Sequence, residues 1–257
     1  MVTQGRSFLP SNSGLAAGDM SRPRQLLACG AFAALLWALS VVLLRQAPPA
    51  VEVPQSDPVA FARYVGSVPV RLATVLAFLS HLLQLVAGFG VVAALGAGPG
   101  SRRAFWGALL AALGHFVAAA NSGVALLVYP RVASLVEEGR LEAVDVVGVL
   151  PMAAIAAQIL PIVVGVLLQA VAVADSRSLP RASGGLVACG SVGSLLALRT
   201  PFAWLLIFGL WLGGAVWLWM GAGGDPVSEE VSLDFAEDRA RPTAERATSE
   251  QEEDDEE

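Results

Sequence analysis

Six apolar runs, 26–44, 72–97, 104–129, 146–174, 182–198 and 202–220, contain no Asp, Glu, Lys or Arg. An apolar stretch of about 20 residues reaches roughly 30 Å as a helix, the thickness of a bilayer's hydrocarbon core. No water is available there, so the backbone must satisfy its own hydrogen bonds, and runs of this length do so as helices. The sequence therefore predicts an all-α, polytopic transmembrane helical bundle with six spans. The fifth run is the weak one. It is short and rich in Gly and Ser, reaches roughly 26 Å, and would span only with local thinning of the bilayer. The first run is longer than the apolar core of about 7–15 residues in a signal peptide, so it is expected to stay as an anchor.

Charge is segregated along the chain. Residues 225–257 hold 14 of the 22 acidic residues and 3 of the 16 arginines. The formal charge of −6 thus joins a mildly basic, apolar body to an acidic tail. This distribution argues against a soluble enzyme domain. It also lacks the basic stripe of a nucleic-acid binder. Three regions are expected: a disordered cytoplasmic N-terminus at 1–24, a transmembrane domain at 25–221, and a disordered acidic tail at 222–257, too polar to bury a core. With the N-terminus inside, the inner segments carry ten arginines and the outer segments six. The positive-inside rule then favours a cytoplasmic N-terminus in the cell's inner (plasma) membrane.

Two loops fall outside on this arrangement. In the first, Asp57 precedes Pro58 as an N-cap would, and Phe61, Tyr64 and Val65 share one side. In the second, Val132, Leu135 and Val136 line one face while Glu137 and Glu138 face away. Both read as short amphipathic surface helices lying in the outer interface.

The polar residues inside the runs are few. His81 and Gln84 are three apart and share a helix face. Counted from the outer ends of their runs, His81, His115 and Gln158 fall in the middle of the bilayer, with His81 about 7 Å nearer the outside than His115. His81, Gln84, His115 and Gln158 are the candidate ligand-binding set. No catalytic set is expected, because the spans offer no carboxylate to a Ser-His pair. Two histidines are too few for a catalytic zinc, so neither a metal nor a cofactor is assigned. Small residues form a second candidate set. Gly185, Cys189 and Gly193 give the fifth run a small face, and Gly209 and Gly213 form a GxxxG in the sixth. Both suggest close helix packing, within the chain or between copies.

The functional expectation is a non-enzymatic membrane component or scaffold, embedded in lipid and offering its acidic tail to a protein partner. The second reading is a small-solute transporter using His81, His115 and Gln158. The third is a haem b carrier ligated by the two histidines.

Overall fold

The computed structural model describes residues 21–50, 54–98, 100–147, 152–176, 178–196 and 203–222. The N-terminal segment before Ser21 and the acidic tail beyond Ala222 lie outside them, as do Pro151, Arg177 and Arg199. The described residues form helices and no strand. Seven α-helices follow in order: α1 (Ser21–Arg45), α2 (Pro58–Gly66), α3 (Val68–Leu95), α4 (Ser101–Glu137), α5 (Met152–Asp175), α6 (Arg181–Leu196) and α7 (Ala203–Gly221). Short 3-10 turns occupy Pro54–Ser56 and Leu141–Val147. Four segments are long and apolar enough to cross a membrane: Arg22–Arg45, Val68–Leu95, Ser101–Glu137 and Ala157–Asp175. Leu205–Gly221 is apolar and shorter.

Six helices close into a ring. Helix α1 packs on α3, α3 on α4, α4 on α5, α5 on α6, α6 on α7, and α7 returns to α1. Neighbours run antiparallel. Rising numbers on one helix meet falling numbers on the next, as where Gly107 lies against Gly165 and Gly114 against Gln158 and Ile162. Without a hydrophobic drive between apolar helices in lipid, close backbone approach supplies the attraction, and small residues permit it. Gly107 shows the tightness: a Cβ there would sit 2.7 Å from the Gly165 carbonyl oxygen. On the α1–α3 seam, Ala33 and Ala34 are fully buried. One end of the ring is closed by an apolar core of Leu27, Val91, Leu95, Ala104, Ala172, Val173, Leu179, Leu218 and Ala222. At the rim of that end, the Arg103 guanidinium donates to the Asp175 carboxylate, tying the start of α4 to the end of α5.

The opposite end carries a small cap. Phe61, Ala62 and Val65 of α2 pack on Val132, Ala133 and Val136 of α4 and on Ala143 and Val144 of the following 3-10 turn. The N-cap of α2 forms as its sequence predicts: Asp57 Oδ1 accepts from the Ala60 N–H at 2.9 Å, with Pro58 in the first turn. Tyr64 borders this core, and Phe61 meets Tyr129 edge to face at 6.1 Å. Burial, and secondarily the neighbouring Tyr129, push the Tyr64 phenol above its ordinary pKa.

Several expected boundaries change. The second loop has no separate surface helix. Instead α4 continues through Pro130 to Glu137, because Val132, Ala133 and Val136 find a core to fill. At about 55 Å, α4 far exceeds a bilayer's ~30 Å hydrocarbon thickness. The start of the fourth run is not helical span either. Val146 and Val147 belong to the 3-10 turn, where Val147 packs into the cap with Ala143 and Val144 while Val146 is exposed, and α5 begins at Met152. The apolar sides of both loop segments face each other here, where headgroups had been expected to cover them. Helix α3 begins at Val68, directly after α2, and stops at Gly96, whose φ of 54° is a left-handed value that a side chain would resist.

Candidate functional site

Several polar residues of the runs meet inside the ring. His81 on α3 and His115 on α4 lie with their Nδ1 atoms 3.3 Å apart and their ring centroids 5.5 Å apart. Since neutral imidazole has one donor and one acceptor nitrogen, one Nδ1–H serves the other Nδ1. On α3, the Gln84 amide donates from Nε2 to Ser80 Oγ at 3.0 Å, and the Ser80 hydroxyl donates to the Ala33 carbonyl of α1 at 2.8 Å. Between α4 and α5, Asn121 Nδ2 donates to Gln158 Oε1 at 3.1 Å. Nearer the closed end, Gln169 Nε2 donates to the Gly88 carbonyl at 3.3 Å. Each bond crosses a helix seam or orients a residue that does. Among the described residues, no buried side-chain nitrogen or oxygen lacks a partner.

These groups surround open space. A chamber of about 40 Å³ is lined by Trp37, His81, Gln84, His115, Gln158, Ile162, Ser191 and Trp211. Those residues come from α1, α3, α4, α5, α6 and α7, so every helix of the ring contributes. A second cavity, about 70 Å³, shares Gln84, His115, Ser191 and Trp211 and continues past Ala87, Val166 and Ala215 toward the closed end. Either space is larger than one water requires. Neither is lined by a carboxylate or a guanidinium.

All four expected ligand-binding residues, His81, Gln84, His115 and Gln158, thus border one chamber. The expected 7 Å depth difference between the histidines is absent. It arose from starting the second span at Leu72, whereas α3 starts at Val68. The other run end, Tyr129, is no helix end either, since α4 continues to Glu137, so depths counted from the two run ends share no common plane; the contact between the rings sets the level. The contact between the imidazoles also removes the arrangement expected for haem. A porphyrin would have to lie between the two rings, and their nitrogens are already 3.3 Å apart.

The expected small-residue set behaves differently. Gly193 packs on Ile207. Gly185, Gly209 and Gly213 have open space where a Cβ would be, and Cys189 is exposed. The close contact of α6 with α7 is made one residue along, by Gly190 against Trp211 and by Gly214 against Leu186 and Val187. A helix face turns by about 100° per residue, so a pattern of small residues at i and i+4 recurs on adjacent faces, and only packing tells them apart.

Trp37, Ser191 and Trp211 were not among the expected site residues. The two indoles pack with centroids 5.8 Å apart across the α1–α7 seam. Their signal was position. Trp favours the membrane interface, and an indole in mid-helix, as Trp211 is, breaks that preference.

No family model matches this chain, and neither a curated protein nor a solved structure is similar to it.

Proposed function

We propose that the protein is a six-span integral membrane protein of the inner (plasma) membrane, N-terminus in the cytoplasm, and that it binds and moves a small hydrogen-bonding solute through its central chamber. One observation carries this reading. His81, Gln84, His115, Gln158 and Ser191, polar residues of four different apolar runs, border one chamber walled by all six ring helices. Seam hydrogen bonds such as Ser80–Ala33 and Gln169–Gly88 hold helices together without bordering this chamber, so helix joining does not by itself require five polar side chains at one open space. Ring closure supports α6 and α7 as spans, since each fills a place between neighbours. The arginine distribution supports the orientation and puts the cap outside.

The lining defines what the solute should be. With no carboxylate or guanidinium at the wall, a charged solute would lose its hydration with no counter-charge to replace it. An uncharged solute with both donors and acceptors matches the imidazoles and amides. Purified protein screened by thermal stabilisation against small polyols, amides and ureas should respond to at least one. That response should weaken in His115→Ala and Gln158→Ala. A flat response across the panel would overturn the reading.

One observation favours a second role, assembly with a partner in the membrane. Gly185, Cys189, Gly209 and Gly213 leave open faces on α6 and α7, which a second copy or another membrane protein could cover. Oxidative cross-linking through Cys189 tests the homo-oligomer. The lipid bilayer itself is the constant partner, and the acidic tail offers a further protein contact.

A further inference from the structure

The positive-inside rule accounts for arginines in a short loop such as the turn between α3 and α4. It does not account for where the fold puts them. Arg102 and Arg103 line a cavity of about 880 Å³ at the rim of the closed end, together with Trp106 of α4 and Leu168 and Asp175 of α5. We propose that this cavity binds an anionic phospholipid, its phosphodiester held by Arg102 and Arg103 and the start of its acyl chains lying on Trp106 and Leu168. The proposal rests on the ring lying in a bilayer and is independent of the solute.

Size and grading both fit a lipid. The cavity is far larger than the inner spaces of about 40 and 70 Å³ and falls in the range of roughly 300–1,000 Å³ that holds a bound molecule. Its lining changes from charged to apolar on going inward. Trp106 is one turn, about 6 Å, beyond Arg102 along α4, and Leu168 is two turns, about 10 Å, before Asp175 along α5. The two helices run antiparallel, so both steps lead from the rim toward the middle of the ring. Trp106 is half-exposed, as an indole at a membrane interface is. Charge at the rim and hydrocarbon beneath it is the order of groups in a phospholipid. A soluble anion has no use for the apolar floor.

Charge selects the headgroup. Two arginines and one aspartate leave the lining with a net positive charge. The Arg103 guanidinium donates to the Asp175 carboxylate, which holds it in place, and a guanidinium has five N–H donors, so others remain for a phosphate. Because Asp175 is already matched, the ammonium of a zwitterionic headgroup meets no spare carboxylate in the lining. A phosphodiester without an ammonium meets the charge of Arg102. Basic pockets between helices on the cytoplasmic side of a membrane hold anionic headgroups in this way. The arginines are set beside α5 by Gly100. Its φ is 87°, and a Cβ there would lie 2.9 Å from the Ala172 carbonyl oxygen, one turn before Asp175. Only glycine allows both that backbone and that approach.

The test reads the fluorescence of Trp106, taken as the difference between the full chain and its Trp106→Phe variant. Both are placed in bilayers mixing phosphatidylcholine and phosphatidylglycerol, with one lipid or the other brominated on its acyl chains. Bromine quenches an indole that it touches, so the quenching reports which lipid occupies the cavity. Phosphatidylglycerol should be preferred about fivefold, the worth of one arginine near an anionic headgroup. Arg102→Gln, a change at an exposed side chain, should bring the preference close to one. Equal quenching by the two lipids in the unaltered chain, or an unchanged preference in Arg102→Gln, would overturn the proposal. So would displacement of brominated phosphatidylglycerol by soluble glycerol phosphate, which would make the ligand a free phosphate. Quenching by neither lipid would overturn it together with the placement of this rim in the bilayer, whereas equal quenching would leave that placement standing.

Discussion

The ring and the cap are built by inverted rules. The cap, lying where α4 outruns a bilayer's thickness, hides an apolar core of Phe61, Val65, Val132, Val136 and Val144, as a small water-soluble domain would. The ring, apolar on its outer face, gathers His81, Gln84, His115 and Gln158 around its centre. In water, burying a Phe gains hydrophobic free energy. In lipid, Phe gains nothing by moving inward, whereas an amide or imidazole gains a partner it cannot find outside. Around its chamber the ring thus turns polar groups inward, while its closed end, like the cap, keeps an apolar core, and α4 joins the two regions, running Gly114 and His115 along one helix with Val132 and Val136.

The largest effect that would sharpen this contrast belongs to the cap. Phe61→Ala should cost about 3–5 kcal/mol of local stability, as truncating a buried Phe does. Hydrogen exchange should then rise across residues 54–66 and 132–147 while the amides of α3 and α5 near the chamber stay protected. Loss of protection throughout the ring would break the distinction between the two regions. Next comes backbone approach within the ring. Gly107→Leu should destabilise by at least about 1–3 kcal/mol, because the atom it meets is the Gly165 carbonyl, which cannot swing away. Equal stability of that variant in a thermal melt would mean that α4 and α5 are not in contact there.

Smaller still is the coupling between polar partners. A double-mutant cycle of Asn121→Ala and Gln158→Ala should give about 0.6 kcal/mol, the average for interhelical hydrogen bonds in a membrane. A coupling near zero would say that the two amides do not meet. The least effect concerns ionisation in the cap. In Tyr129→Phe the tyrosinate absorbance reports Tyr64 alone, since the chain has two tyrosines. Tyr64 should still titrate above the ordinary tyrosine range, because burial is the larger cause and Tyr129 the lesser. With its folded pKa raised, the neutral phenol favours the folded cap. That stability holds below the unfolded pKa of about 10 and is lost as pH rises through the folded value. Titration at the ordinary value would mean that Tyr64 is not buried.

Much of the ring was legible in one dimension. The apolar runs at 26–44, 72–97 and 202–220 fall within a few residues of α1, α3 and α7, because hydrophobicity over a bilayer's length is a property of the segment alone. The members of the polar set were legible for the same reason: a polar residue in an apolar run stands out wherever its helix goes. Their level was not. His81 and His115 were set at different depths because run ends were read from hydropathy, while α3 starts at Val68, where α2 stops. The cap was misread for a related reason. Val132, Leu135 and Val136 showed an apolar face, but nothing local says whether such a face meets headgroups or another helix.

The structure shows four of the chain's helices long and apolar enough to cross a membrane. By itself, the sequence determined that the chain holds six apolar runs suited to helices and which polar residues such helices must accommodate. Those are consequences of local composition and of the rule that backbone groups in lipid bond to themselves. Only the tertiary structure decided that six helices close into a ring, that His81 meets His115, and that Gly190 and Gly214, not Gly185 and Gly209, face the neighbouring helix. Each of those depends on rotation and register between helices far apart in sequence. Adjacent faces of an Ala- and Gly-rich helix look alike until a partner's shape selects one.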